Sequence, residues 1–99
     1  MTNLEADVIR GLFIRYQHLI AKNADKLSGL PNKCDGNHLL RLCKEAIENA
    51  HEYPFDKMCR WMGFVQGVLA VQGIIDVDKE RDYTRPLFHA LYGREVPTF

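Results

Sequence analysis

Apolar residues recur at three- and four-residue spacings along almost the whole chain. No stretch of Val, Ile and Thr alternates with polar residues over a strand length. The first pattern is what one face of an α-helix requires, and the second is what a half-buried strand requires. One class of fold is left open, an all-α bundle. Ninety-nine residues make a single domain, 1–99, large enough for a core without disulfide or metal.

Turn residues divide the periodic pattern into four main helices. The first spans about residues 4–26, with Leu4, Val8, Leu12, Tyr16, Leu19 and Ile20 in one stripe and Ile9 and Phe13 widening it. Asn3 is the expected N-cap. "SGLPNKCDGN" is a loop, and a second helix over about 37–52 buries Leu39, Leu40, Cys43, Ala46, Ile47 and Ala50. Pro54 ends it by disfavouring helix at Tyr53. The third begins near Asp56 and runs to Gln72, where Gly73 suits a left-handed terminus. The fourth starts at Asp76 or Asp78. Pro86 lies inside its pattern and predicts a kink, or a break with a restart capped by Thr84. "REVPTF", 94–99, reads as a flexible tail.

The third helix contains the unusual stretch, "RWMGFVQGVLAVQG". Cys59, Gly63, Gly67 and Ala70 recur three or four residues apart, so small residues line one face. Each glycine costs up to about 1 kcal/mol in helix propensity against alanine, so something must offset it. Tight packing against another helix of the same chain is the expected reason; approach of a partner subunit or ligand is the alternative. Gln66 sits among apolar neighbours and needs a hydrogen-bond partner. Arg60 shares a side with the glycines and is expected to be buried against Asp78, Glu80 or Asp82, because a buried guanidinium requires a fixed acid.

Charge and cysteine usage narrow the function. Thirteen basic and thirteen acidic side chains cancel, which argues against bulk nucleic-acid binding. The apolar run at 62–75 is too short and too interrupted for a membrane span, and the first residues show no signal-peptide pattern. Cys34, Cys43 and Cys59 form no CxxC pair and read as reduced packing residues of a cytoplasmic protein.

Chemistry-bearing residues gather near the third and fourth helices. Arg81, Arg85 and His89 recur every four residues, and with Lys57 and Arg60 they form a basic group suited to anionic oxygens. Trp61, Tyr83 and Phe88 offer stacking surfaces, and Gln66 joins these as a polar group. The ligand- or partner-binding candidates are therefore Lys57, Arg60, Trp61, Gln66, Arg81, Arg85 and His89. Salt bridges to Glu80 and Asp82 compete for the same arginines. Glu48 and His51 have the spacing of a di-iron helix, but that design needs two such pairs and further glutamates. No HExxH, GxSxG or phosphate-binding glycine loop occurs, so neither metal, cofactor nor enzymatic activity is expected.

"HLLRLC", followed by "FDKMCRWMGFVQGVLAVQGIIDVDKERDYTRPLFHALYG", resembles a family of small accessory proteins of tailed phages and prophages. The resemblance begins at His38 and leaves out the first helix. It carries no catalytic residues. It implies a protein made in the cytoplasm of a bacterial host, working by binding a host protein or a defence-signalling nucleotide. The leading expectation is a non-enzymatic protein that modulates or inhibits a host factor, such as a defence system, by protein contact. Nucleotide sequestration by the arginine cluster is the alternative, and a structural assembly subunit the third. A homo-oligomer is expected, because Ile9, Phe13 and Ile14 give the first helix more apolar surface than one stripe needs.

Overall fold

The structure is a computed structural model that describes residues 1–92. Five helices follow one another: α1 (Asn3–Lys22), α2 (Ala24–Leu27), α3 (Gly36–Asn49), α4 (Phe55–Val71) and α5 (Val77–Tyr92). Among the described residues there is no strand, and no helix is long and apolar enough to cross a membrane. The tail at 94–99 and the expected stop at Gly93 lie outside the described residues.

Helix α1 is the hub and touches each of the other four helices. Thr2, rather than Asn3, caps it. The Thr2 hydroxyl accepts from the Glu5 amide at 3.1 Å, while the Glu5 carboxylate accepts from the Thr2 amide at 2.8 Å. This reciprocal box satisfies two amides that the helix leaves open. At the other end the Asn23 side chain donates to the Leu19 carbonyl at 2.8 Å, which splits the expected first helix into α1 and the single turn α2. The buried stripe is Ala6, Ile9, Leu12, Phe13, Tyr16 and Ile20. Ile9 and Phe13 are thus its centre and no surplus, whereas Leu4 is 57% exposed. Of the residues expected as surplus on α1, Ile9 and Phe13 are spent in the core, while Ile14 is half-buried and stands outside the core cluster.

Helix α3 opens on Asp35, whose carboxylate accepts from the His38 amide at 3.2 Å. It lays Leu39, Cys43, Ala46 and Ala50 against α1. Helix α4 supplies Met58, Met62, Val65 and Leu69, one clean stripe at helical spacing. It ends as expected at Gly73, with φ of 72°. The Gly73 amide donates to the Ala70 carbonyl at 3.0 Å and the Ile74 amide to the Leu69 carbonyl at 2.8 Å, a Schellman termination.

Asp76 caps α5, accepting from the Lys79 amide at 3.0 Å. The helix continues through Pro86 without the expected restart at Thr84. Pro86 is exposed, so the Asp82 carbonyl that loses its amide partner lies on the outer side, where water can replace it. The Thr84 hydroxyl turns back to the Arg81 carbonyl at 3.3 Å and caps nothing.

Candidate functional site

The glycines of α4 do not pack against another helix. Gly63 and Gly67 are both exposed, and a Cβ built on either would meet no atom within 4 Å. The expectation of a helix–helix contact there is overturned. Met58, Met62, Val65 and Leu69 already take the single face α4 can bury, and the glycines stand on the opposite side of the helix. Cys59 is exposed on that side as well, contrary to its expected burial. Phe64, 38% exposed, and Val71, 81% exposed, complete an outward apolar strip.

Two clefts flank the strip and share both glycines as a wall. One, of 490 Å³, runs towards the loop before α3 and is walled by Leu30, Pro31, Phe64 and Val68. The other, of 390 Å³, lies between α4 and α5. Its lining includes Gln66, Ala70, Ile75, Glu80, Arg81 and Thr84. Both volumes fall in the range of small-ligand sites, about 300–1,000 Å³.

At the base of the second cleft four side chains from three helices form one polar chain. Gln66 on α4 is partly buried and donates through Nε2 to the Tyr16 hydroxyl at 2.8 Å, which meets the need read from its apolar neighbours. The Tyr16 hydroxyl donates to Glu80 Oε2 at 2.7 Å. Arg15 grips the same carboxylate from two atoms, Nε at 3.2 Å and Nη2 at 2.8 Å. Its guanidinium also lies over the Tyr83 ring, 4.0 Å from the centroid. Burial alone would raise the Glu80 carboxyl, yet the Arg15 and Tyr16 bonds hold it below the usual glutamate value. Burial pushes the Tyr16 phenol well above its ordinary range, and the Glu80 carboxylate pushes the same way.

Arg15 escaped the sequence reading, and Glu80 entered it as a partner for the wrong arginine. Arg60 is exposed and reaches only Asp56 on its own helix, at 3.4 Å. The expected buried bridge from Arg60 to α5 is therefore absent, since Arg60 lies on the solvent side with the glycines. Arg81 pairs with Asp78 at 3.5 Å, and Arg85 stands 4.0 Å from Asp82. Each arginine closes on an acid one turn back, and exposed pairs of this kind are worth about 0–1 kcal/mol.

Of the seven expected site residues, Gln66 and Arg81 line the α4–α5 cleft. Arg60 stands one turn before Gly63 on the exposed side of α4 and lines neither cleft. Trp61 turns the other way, edge-on to Tyr53 with centroids 5.9 Å apart. Lys57 covers that pair, 3.9 Å from the Tyr53 ring and 5.1 Å from the Trp61 ring. His89 is half-buried, and among the described residues its Nε2 has no hydrogen-bond partner. His51 faces Asp7 at 3.1 Å. Among the cysteines, burial pushes the Cys43 thiol up to about 12 and also raises that of Cys59, so neither favours a thiolate.

Compared with known proteins, the chain matches no family model, no curated protein and no solved structure.

Proposed function

We propose that this chain is a non-enzymatic binding protein whose working surface is the glycine face of α4. One observation carries the reading. Two glycines interrupt a seventeen-residue helix at exposed positions where, among the described residues, no neighbouring element occupies the space a side chain would fill. Their cost in helix propensity, about 1 kcal/mol each, has no packing return among the described residues, which supports a return from a partner outside the chain. Phe64 and Val71 give that surface apolar area, which suits protein contact. In the phage setting implied by the sequence resemblance, the partner is a host protein, and binding modulates or inhibits it in the host cytoplasm. The charged variant Phe64→Glu tests this. It keeps stability within about 0.5 kcal/mol and abolishes capture of the partner. Capture at wild-type strength would reject the surface.

A second reading, sequestration of a nucleotide or a similar anionic small ligand, is favoured by the α4–α5 cleft. Arg81 and Thr84 face a glycine wall there, and the weak pair with Asp78 leaves the Arg81 guanidinium easily recruited. Trp61 has no part in it. A thermal-shift panel of linear and cyclic nucleotides separates the two readings. At a hundredfold excess over Kd a true ligand stabilises by about 2.7 kcal/mol, and Arg81→Ala removes the effect. Either surface can also be shared by a second copy of the chain, and light scattering above 11.4 kDa would show that.

A further inference from the structure

The first two turns of α5 are tied to α1 by one buried side chain, Glu80, and by the half-exposed Tyr83 ring under the Arg15 guanidinium. From residue 77 to 83 only Glu80 is buried, while Val77 and Tyr83 are 55% and 49% exposed. Apolar packing on the core resumes only at Leu87 and Phe88. Space opens on both sides of the carboxylate: the 390 Å³ cleft towards α4, and one of 190 Å³ between Arg15, Leu19, Ile74, Ile75 and Lys79. Helices joined by interdigitated apolar side chains leave few such voids. The chain enters α5 through Gly73, at φ of 72°, and the non-helical residues 74–76; Ile74 and Ile75 pack on the core and donate to the Leu69 carbonyl, so the freedom to change direction lies at the exposed Asp76.

We propose that Glu80 is a latch and the N-terminal half of α5 a strap, which swings about Asp76 to widen the α4–α5 cleft when the carboxylate leaves Arg15 and Tyr16. The latch is polar, and this suits it to reversible opening. Three donors from α1 converge on one carboxylate, so a single departure leaves the half-helix with the exposed Tyr83–Arg15 stacking contact alone, and water can replace the hydrogen bonds that are lost. The Tyr16 hydroxyl has one proton to give. While it points at Glu80 the oxygen can accept from Gln66, so the latch also sets the position of a cleft side chain on α4. The inference stands on this geometry whatever the cleft holds.

Amide hydrogen exchange read by mass spectrometry on the full chain at neutral pH is the test. Glu80→Gln keeps the side-chain shape and removes the charge. Exchange over residues 77–84 is expected to rise by about tenfold or more, with 9–20 and 39–47 unchanged, because local opening and global unfolding are separable in exchange. A uniform rise in every helix would make Glu80 an ordinary core residue and overturn the proposal, as would no change. Arg15→Lys is the second variant, retaining the charge but losing the two-pronged grip. It should speed the same amides by a smaller factor. If Glu80→Gln does not fold and Arg15→Lys leaves 77–84 as protected as wild type, the latch does not exist.

Discussion

The Gln66 amide donates to the Tyr16 hydroxyl at 2.8 Å, and these two residues stand fifty positions apart on different helices. The hydroxyl is spent in both directions, accepting from Gln66 and donating to Glu80. Tyr16→Phe keeps the ring in its buried place and removes only that oxygen. It leaves the Gln66 amide without its acceptor and Glu80 Oε2 with the Arg15 Nε bond alone. The expected loss is about 1–3 kcal/mol, measured by urea denaturation. A neutral result would mean that water replaces the hydroxyl.

Gly67→Ala is expected to stabilise the protein by about 0.5–1 kcal/mol, because alanine is the better helix former and its methyl group meets open space. Gly63→Ala should behave likewise. Even Gly67→Leu should fold without penalty, the reverse of what packing against a neighbouring helix would give. Thermal melts of the three variants decide the matter. A fall in melting temperature would reveal a contact on that face.

Acid should weaken the fold partly through Glu80. Its carboxyl is faced by Arg15 and Tyr16 from α1, with Gln66 behind the tyrosine and Lys79 beside it in sequence, and it is held below the ordinary glutamate value despite burial. The unfolded chain therefore binds the proton first. The contribution is complete above the unfolded value, about 4.3, and is lost as pH falls through the lower folded value. Glu5, held low by its bonds to Thr2, changes in the same sense. Urea midpoints from pH 7 to pH 3 should show wild type and Glu80→Gln converging as the pH drops. A constant gap between them would contradict the assignment.

Arg60→Ala and Arg85→Ala should each change stability by less than about 0.5 kcal/mol, since their aspartate pairs are long and solvent-facing. A drop above about 1 kcal/mol in either would give that arginine a structural role that its pairing does not suggest.

The helices were legible because each carries one buried stripe with strong punctuation. Gly73 announced the end of α4, and Gln66, polar among apolar neighbours, announced a buried partner without naming it. The orientation of the glycine face was legible too, in a signal given too little weight. Met58, Met62, Val65 and Leu69 occupy the one side that α4 can bury, which leaves Gly67 facing water. The tie between Arg15 and Glu80 is different in kind. Nothing local marks Arg15 among the arginines, because its distinction comes from the packing of α5 on α1, a property of the assembled fold.

The long reach of that tie bears on how the protein is made. Arg15 precedes Glu80 by 65 residues. A ribosome adding about 5–20 residues per second needs roughly 3–13 s to cover that distance. Helix α1 is synthesised before the four helices that touch it, yet its arginine and tyrosine have no acid to meet until Glu80 has been added. The nascent chain can gather α1 and α3 early, while closure around the polar group waits for the last helix. Truncation before α5 would therefore leave four of the five described helices, with the Tyr16 hydroxyl deprived of its acceptor, a species for proteases and chaperones to intercept.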